Sequence, residues 1–386
     1  MKVNVTINRE YLNSYIFSLS VFLSVITIPI KYYTSSGVVV WGLYGALLVI
    51  SLFINFKQKV EMYFIKYILF FSVFFIVSSL FSVNIMQTLG LYLNFLKFSV
   101  LPFFFFQYIN RSDCLFSSLS NVAKLSCFIL ILSIPLVING DVNYMVYGVS
   151  LSSTLIFIYF NDLRNEKFNS FNFIIILIGL ASIFILGNRM AFFSAVLSLF
   201  CVKVLFLEFK LAYKFLLIFI CLFVAVVIMH FLYDILIFMQ DFLSTYGVYS
   251  YSIQKLIMMT DEGVVSSSSG REVVFLEAIA MICNNFFLPY NVGYYQANTI
   301  HGAPYPHNLI LDLLLIVGLP GVLILMVFYG RFILATLMLP EKSLKYFIIT
   351  ISIYSLSRLS LSGSFWSETL FWLPFFVYFS FKSVKN

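Results

Sequence analysis

Charge is what this chain has least of. Asp, Glu, Lys and Arg make up 10% of 386 residues, against about 25% in an ordinary soluble domain. That excludes a soluble enzyme, and the wealth of apolar residues excludes a disordered chain. Cysteine is scarce too: five residues, an odd number with no paired spacing, so neither a disulfide scaffold nor a zinc site follows. Cys127, Cys201 and Cys221 lie in apolar runs and read as small core residues. Familiar catalytic motifs are missing: no Gly-rich phosphate loop, no H-E-x-x-H and no G-x-S-x-G. Gly148-Val149-Ser150 resembles the Gly-x-Ser of an intramembrane serine protease, but Leu151 follows it and no partner histidine stands out. The three histidines, His230, His301 and His307, fit no metal-ligand spacing.

What the chain does have is apolar length. Hydrophobic residues are 62% of the sequence, and they run continuously instead of alternating. Continuous runs exclude an outer-membrane barrel. A membrane-crossing helix takes about 20 apolar residues. The runs are 11–30, 37–56, 63–82, 86–108, 115–138, 142–160, 168–187, 190–207, 212–233, 307–328, 346–361 and 365–381. The expected fold is all-α: one polytopic integral membrane domain over 1–386, a bundle of about twelve transmembrane helices. Met1 to Glu10 is polar and no cleavage pattern follows the first run, so that run reads as a retained span. No internal repeat is visible, which argues against a transporter built from repeats.

The net charge of +7 points to membrane sidedness, not to nucleic acid. With the N-terminus inside, 17 of the 23 Lys and Arg fall in inner loops. Lys31, Arg189, Lys255 and Arg271 fall outside, and Lys97 and Arg358 fall inside spans. The alternation predicts both termini in the cytoplasm.

One connection is long. Residues 234–306 form the expected outward, periplasmic loop, and long loops in compact folds are usually functional. Ser266 to Ser269 with Gly270 reads as a joint. Arg271 to Ile282 reads as a helix with Val274, Phe275, Ala278, Ile279 and Ile282 on one face, lying at the outer interface. Pro289, Asn291 and Gly293 then break the chain.

The residues that are expensive at the outer face are the candidates for chemistry. Arg189 sits in the short turn Gly187-Asn188-Arg189. It is either a snorkelling interface arginine or an anion ligand, for which its planar, permanently charged fork is suited. Arg271 opens a helix, where a cation opposes the dipole; it is either paired with Glu272 or Asp261, or turned toward an anionic ligand. His307 begins a span after Pro304-Tyr305-Pro306; it is either an interfacial cap or a base, because imidazole ordinarily titrates near neutrality. Asn308 and Asp312 are four apart and share a helix face. Asp312 needs a partner in the span, and Arg358 is the candidate. Glu368 follows Trp366 at the outer start of the last run. Asn308, Asp312, Arg358 and Glu368 are the expected substrate-binding residues, and His307, Arg189 and Arg271 the expected catalytic ones.

Three stretches carry a family resemblance. Pro306-His307-Asn308 followed by Leu311, Gly318 and Gly321 is similar to the P-H-N-x-x-L…G-x-x-G stretch of the O-antigen polymerase and O-antigen ligase family (Wzy and WaaL types). Ser269-Gly270-Arg271, a short helix and Asn285 to Gly293 resemble its S-G-R…N-P-x-x-G-x-G stretch. Gly187-Asn188-Arg189-Met190-Ala191 resembles its S-R-G-A turn, with Asn188 for Ser and Met190 for Gly. Asn291-Val292-Gly293 likewise stands where Gly-x-Gly is usual. The likeness covers roughly 185–330; the first six runs match only as apolar helices. It implies a glycosyltransferase of the bacterial inner membrane working at the periplasmic face. Its donor and acceptor would be glycans on undecaprenyl pyrophosphate. It would act among membrane lipids, with a chain-length regulator protein as partner, no nucleic acid, no cofactor and no metal. A polymerase extends the glycan on a lipid-linked repeat unit; a ligase moves it onto lipid A-core. The abundance of Phe (47) and Tyr (25) favours polymerase, by association with AT-rich antigen clusters. A flippase of lipid-linked sugars is the alternative of another class. It would need charge through the depth of the bundle, where Lys97 stands nearly alone.

Reporter fusions test the topology. Fusions after Gly263 and Gly302 should report outward, and fusions after Lys59, Lys167 and Lys342 inward. An inward signal from the 234–306 loop would remove the periplasmic reading.

Overall fold

The computed structural model describes residues 8–34, 38–166, 169–186, 188–207, 210–245, 247, 250–261, 270–285 and 287–383. The expected joint at Ser266 to Ser269, and Gly187 of the arginine turn, lie outside them. Among the described residues there are helices and no strands. Within the described residues, seven helices are long and apolar enough to cross a membrane: Arg9–Ile30, Met62–Leu80, Ile85–Phe106, Ser112–Leu132, Tyr144–Arg164, Arg189–Phe206 and Leu309–Leu337. Val38–Ile54, Ser170–Leu186 and Thr369–Phe381 are apolar but shorter. Residues 234–306 are more helical than their sequence suggests. They hold most of Leu232–Thr245, then Tyr251–Asp261, Arg271–Asn284 and the short Tyr294–Asn298.

The chain packs as two compact units, Met1–Ile129 with Val273–Asn386, and Leu130–Glu272. In the first, the abundant aromatics form the core. Phe103 stacks on Phe376 at 4.2 Å, and Phe71, Phe75, Phe95, Trp366 and Trp372 meet edge-on or tilted around them. Several polar side chains in the spans find partners, as an apolar surrounding favours. Asn13 and Asn55 exchange amide hydrogen bonds of 3.2 and 2.9 Å, and Asn13 also donates to the Tyr108 carbonyl. Ser18 and Thr336 donate back to the carbonyls four residues earlier. Lys97 lies in a π-helical turn, Leu96–Val100. Its ammonium sits over the rings of Phe98, Trp41 and Tyr44 at 4.8, 5.3 and 5.9 Å. Large apolar residues such as Phe53, Leu80 and Ile324 stand exposed, as expected of a surface whose solvent is lipid.

The Arg271–Asn284 helix departs from the expected pattern. Val274, Ala278 and Ile282 are buried with Tyr295 and Leu315, but Ile279 is 44% exposed and Leu276 65%. The helix is apolar on both faces, unlike a helix with one face in water.

The longest helix, Leu309–Leu337, is broken at Gly318, whose φ is 66° and ψ 177°. Pro320 has no N–H for the carbonyl four residues back. The loop after Asn284 fills the break: the Tyr290 N–H donates to the Leu315 carbonyl at 2.8 Å. A Cβ on Gly318 would lie 2.8 Å from the Phe287 carbonyl oxygen. Only glycine allows both the left-handed backbone and that approach.

Gly318→Ala should therefore lower stability by at least the roughly 1–3 kcal/mol of a strained backbone position, read as a fall in Tm in detergent. Gly330→Ala, in the same helix with open space around its Cβ, is the control and should not lower Tm. Equal behaviour of the two variants would refute the account of the break.

Candidate functional site

The second unit builds one half of the candidate residues. Asn188 ends the turn before the Arg189–Phe206 helix and caps it, accepting from the Ala191 N–H at 3.0 Å. Its amide nitrogen donates to the Met145 carbonyl at 2.8 Å. It packs so closely on the neighbouring helix that a Cβ on Gly148 would fall 2.5 Å from the Asn188 Cβ. Gly148 is thus a packing residue for this turn, which accounts for the Gly-x-Ser stretch without catalysis.

Arg189 is the first residue of the helix so anchored, and it is half-buried. Arg271 is the first residue of its own helix, after Gly270 at φ 79°. The Arg271 guanidinium donates from Nη1 to the Met190 sulfur at 2.9 Å. The two arginines are therefore brought to one turn, with Met190 between the Arg189 backbone and the Arg271 fork. Each sits where a helix end is already positive. The Arg271 guanidinium and the N-terminus of the helix that Arg189 opens meet at this turn, and both favour an anion there.

The first unit holds the other candidates. His307 is half-buried and has a positive φ of 55°, a conformation disfavoured for a side-chain-bearing residue and common at functional sites. Its Nδ1 lies 3.1 Å from the Ser362 hydroxyl oxygen, and the Tyr305 ring meets it edge-on at 4.5 Å. Asn308 caps the Leu309–Leu337 helix, accepting from the Ile310 and Leu311 N–H groups at 2.9 and 3.2 Å, and its amide donates to the Ser360 carbonyl at 3.2 Å. Its side chain is thus engaged in holding the entry of the helix.

Asp312 is one turn deeper and 4% exposed. The expected pairing with Arg358 is corrected by the structure: Arg358 is ion-paired with Glu368, both largely buried. The reason is distance along the chain. The bend at Ser362 and Gly363 (φ 108°) returns the segment on itself, so Glu368 reaches the helix end that carries Arg358. Asp312 Oδ2 is buried without a hydrogen-bond partner among the described residues. A buried oxygen without a partner costs about 1–3 kcal/mol or more, and such an atom calls for an explanation.

Two residues were not singled out from sequence. Ser362 meets His307 across 55 positions. Glu277 accepts from the Ile300 N–H at 2.6 Å, the Thr299 hydroxyl at 2.9 Å and the Tyr295 hydroxyl at 3.4 Å. It pins the loop that leads to His307. Burial pushes the Tyr295 hydroxyl up from its ordinary value, Thr299 opposes this, and the charges of Glu277 and Asp312 add to it, so Tyr295 remains a hydrogen-bond donor at neutral pH. No local pattern marks any of these contacts, because each is made between distant segments.

Residues 173–326 match the family described as O-Antigen ligase (Wzy_C). The match contains Arg189, Arg271, His307, Asn308 and Asp312; Arg358, Ser362 and Glu368 lie beyond it. No curated protein matches the chain.

Proposed function

From the match of residues 173–326 to the O-antigen ligase family, we propose that the chain transfers glycan from undecaprenyl pyrophosphate to a sugar hydroxyl, as a polymerase of lipid-linked repeat units. The reading includes twelve spans, both termini in the cytoplasm, and chemistry at the periplasmic face of the inner membrane. The observation that carries it is the meeting of Arg271 with the Met190 end of the Arg189 turn.

The reaction needs two things. The acceptor oxygen attacks the anomeric carbon, the bond from that carbon to the pyrophosphate oxygen breaks, and the electron pair leaves with the lipid pyrophosphate. Guanidinium groups stabilise that charge as it develops, by paired, planar hydrogen bonds. The acceptor proton goes to a base, and His307 is assigned that role. Asp312, buried and with an oxygen to spare, is assigned to bind acceptor hydroxyls. Asn308, Arg358 and Glu368 act through position: Asn308 as the cap, and Arg358 with Glu368 as the ion pair that shapes the segment bearing Ser362. The description of the matched family as O-antigen ligase favours the ligase reading, and the composition rich in Phe and Tyr favours the polymerase reading. The two differ in the acceptor, lipid-linked repeat unit or lipid A-core, so the carrier of the product distinguishes them.

Arg189→Ala and Arg271→Ala should each abolish glycan extension by the inserted full-length protein, and lysine should restore only part of it, lacking the fork. Full chain length from both alanine variants would sink the pyrophosphate assignment. His307→Ala should lower turnover by about 10²–10⁴-fold, the usual worth of a general base, with lipid-linked donor still bound. Near-normal turnover in His307→Gln, which can hydrogen-bond but not take a proton, would reduce His307 to a binding residue.

A further inference from the structure

A histidine acts as a base only through the nitrogen that lacks a proton, and the hydrogen bond at the other nitrogen decides which one that is. In this protein the other nitrogen has a definite neighbour. His307 Nδ1 and the Ser362 hydroxyl oxygen are 3.1 Å apart. The contact is not a chance meeting of two loose loops, because further features hold each side.

On the histidine side, the backbone is fixed at φ 55° between Pro306 and the Asn308 cap. The Tyr305 ring closes against the imidazole. On the serine side, Ser362 ends the Lys342–Leu361 helix, and its N–H donates to the Arg358 carbonyl at 2.9 Å. The same segment takes a second bond one residue away from the first pair, from the Asn308 amide to the Ser360 carbonyl at 3.2 Å. Adjacent residues of one segment are therefore bonded to near-adjacent residues of the other. Beyond Ser362 the chain turns at Gly363, whose Cβ position lies 3.6 Å from the Arg358 guanidinium, and Glu368 returns to pair with Arg358.

We propose that Ser362 is a positioning residue for His307: its hydroxyl oxygen accepts from the Nδ1 proton, so that the lone pair of the neutral ring is on Nε2, the nitrogen that takes the acceptor's proton. Ser362 does not touch the reacting atoms. It sets the tautomer and the ring orientation, the part a buried carboxylate plays for the histidine of a serine-protease triad. A hydroxyl does this without placing a second negative charge near a pyrophosphate. The inference rests on the reading of His307 as the base, and it adds a residue outside the matched segment to the machinery.

The experiment uses the full-length protein in lipid nanodiscs. With ¹⁵N-labelled histidine, only three ring systems contribute, and a His307→Ala sample assigns the one in question. At about pH 8.5, where imidazole is ordinarily neutral, His307 should show its proton on Nδ1. In Ser362→Ala it should show a mixture of tautomers, and in Ser362→Thr, which keeps the hydroxyl, the Nδ1 proton should return. Turnover should fall about tenfold in Ser362→Ala, less than loss of the base itself, with the KM for lipid-linked donor unchanged. Threonine should recover most of it. In a His307→Ala background the Ser362→Ala change should have no further effect. A proton on Nε2 in the unaltered protein overturns the proposal, as does an Ser362→Ala variant with unchanged tautomer and turnover. So does an equal loss in the His307→Ala background, which would mark Ser362 as merely structural. A different failure is distinguishable: if the tautomer follows Ser362 but His307→Ala turns over normally, it is the base assignment that falls.

Discussion

A peptide group surrounded by hydrocarbon has to be satisfied by the chain itself, and the break at Gly318 is where this protein meets that constraint most tightly. The Leu315 carbonyl receives the Tyr290 N–H, so one helix and the loop after another become a single hydrogen-bonded piece. That loop is joined to the Arg271–Asn284 helix on one side and leads to the Glu277-bound turn and His307 on the other. The small residue at the break, the missing N–H of Pro320 and the backbone approach of Phe287 are consequences of one another. The two glycines of the histidine motif therefore have an architectural meaning: Gly318 admits the loop, and Gly321 lies close under Val317.

The few charged residues obey the same economy. Arg358 and Glu368 neutralise each other where both are largely buried. Lys97 rests among aromatic faces. Arg189 and Arg271 head helices, where each cation opposes the local dipole. Their meeting at Met190 is intelligible as preparation for an anion, in keeping with the match of residues 173–326 to the O-antigen ligase family.

Much of the fold was legible in the sequence because its dominant signal is local. The expected apolar runs overlap helices, several of them divided into two or more, and the helix expected to end near 328 continues to Leu337. The register of Arg271–Asn284 was legible on its buried face, through Val274, Ala278 and Ile282. Its other face was not, since lipid accepts Ile279 and Leu276 where water would not. The site was legible in identity but not in pairing. Composition and sidedness marked Arg189, Arg271 and His307 as costly. That Asp312 is not the partner of Arg358, and that Ser362 is the neighbour of His307, depends on how a turn of the chain folds back, which no periodicity encodes.

The fit of Asn188 against Gly148 has a consequence for descent. A Cβ at 148 would meet first the Cβ of residue 188, 2.5 Å away, an atom that serine, the residue of the resembled turn, carries as well as asparagine. Glycine at 148 is thus expected to persist as related chains diverge, whichever of the two stands at 188. Such a glycine would record, in inherited sequence alone, that the arginine turn is held by the helix beside it.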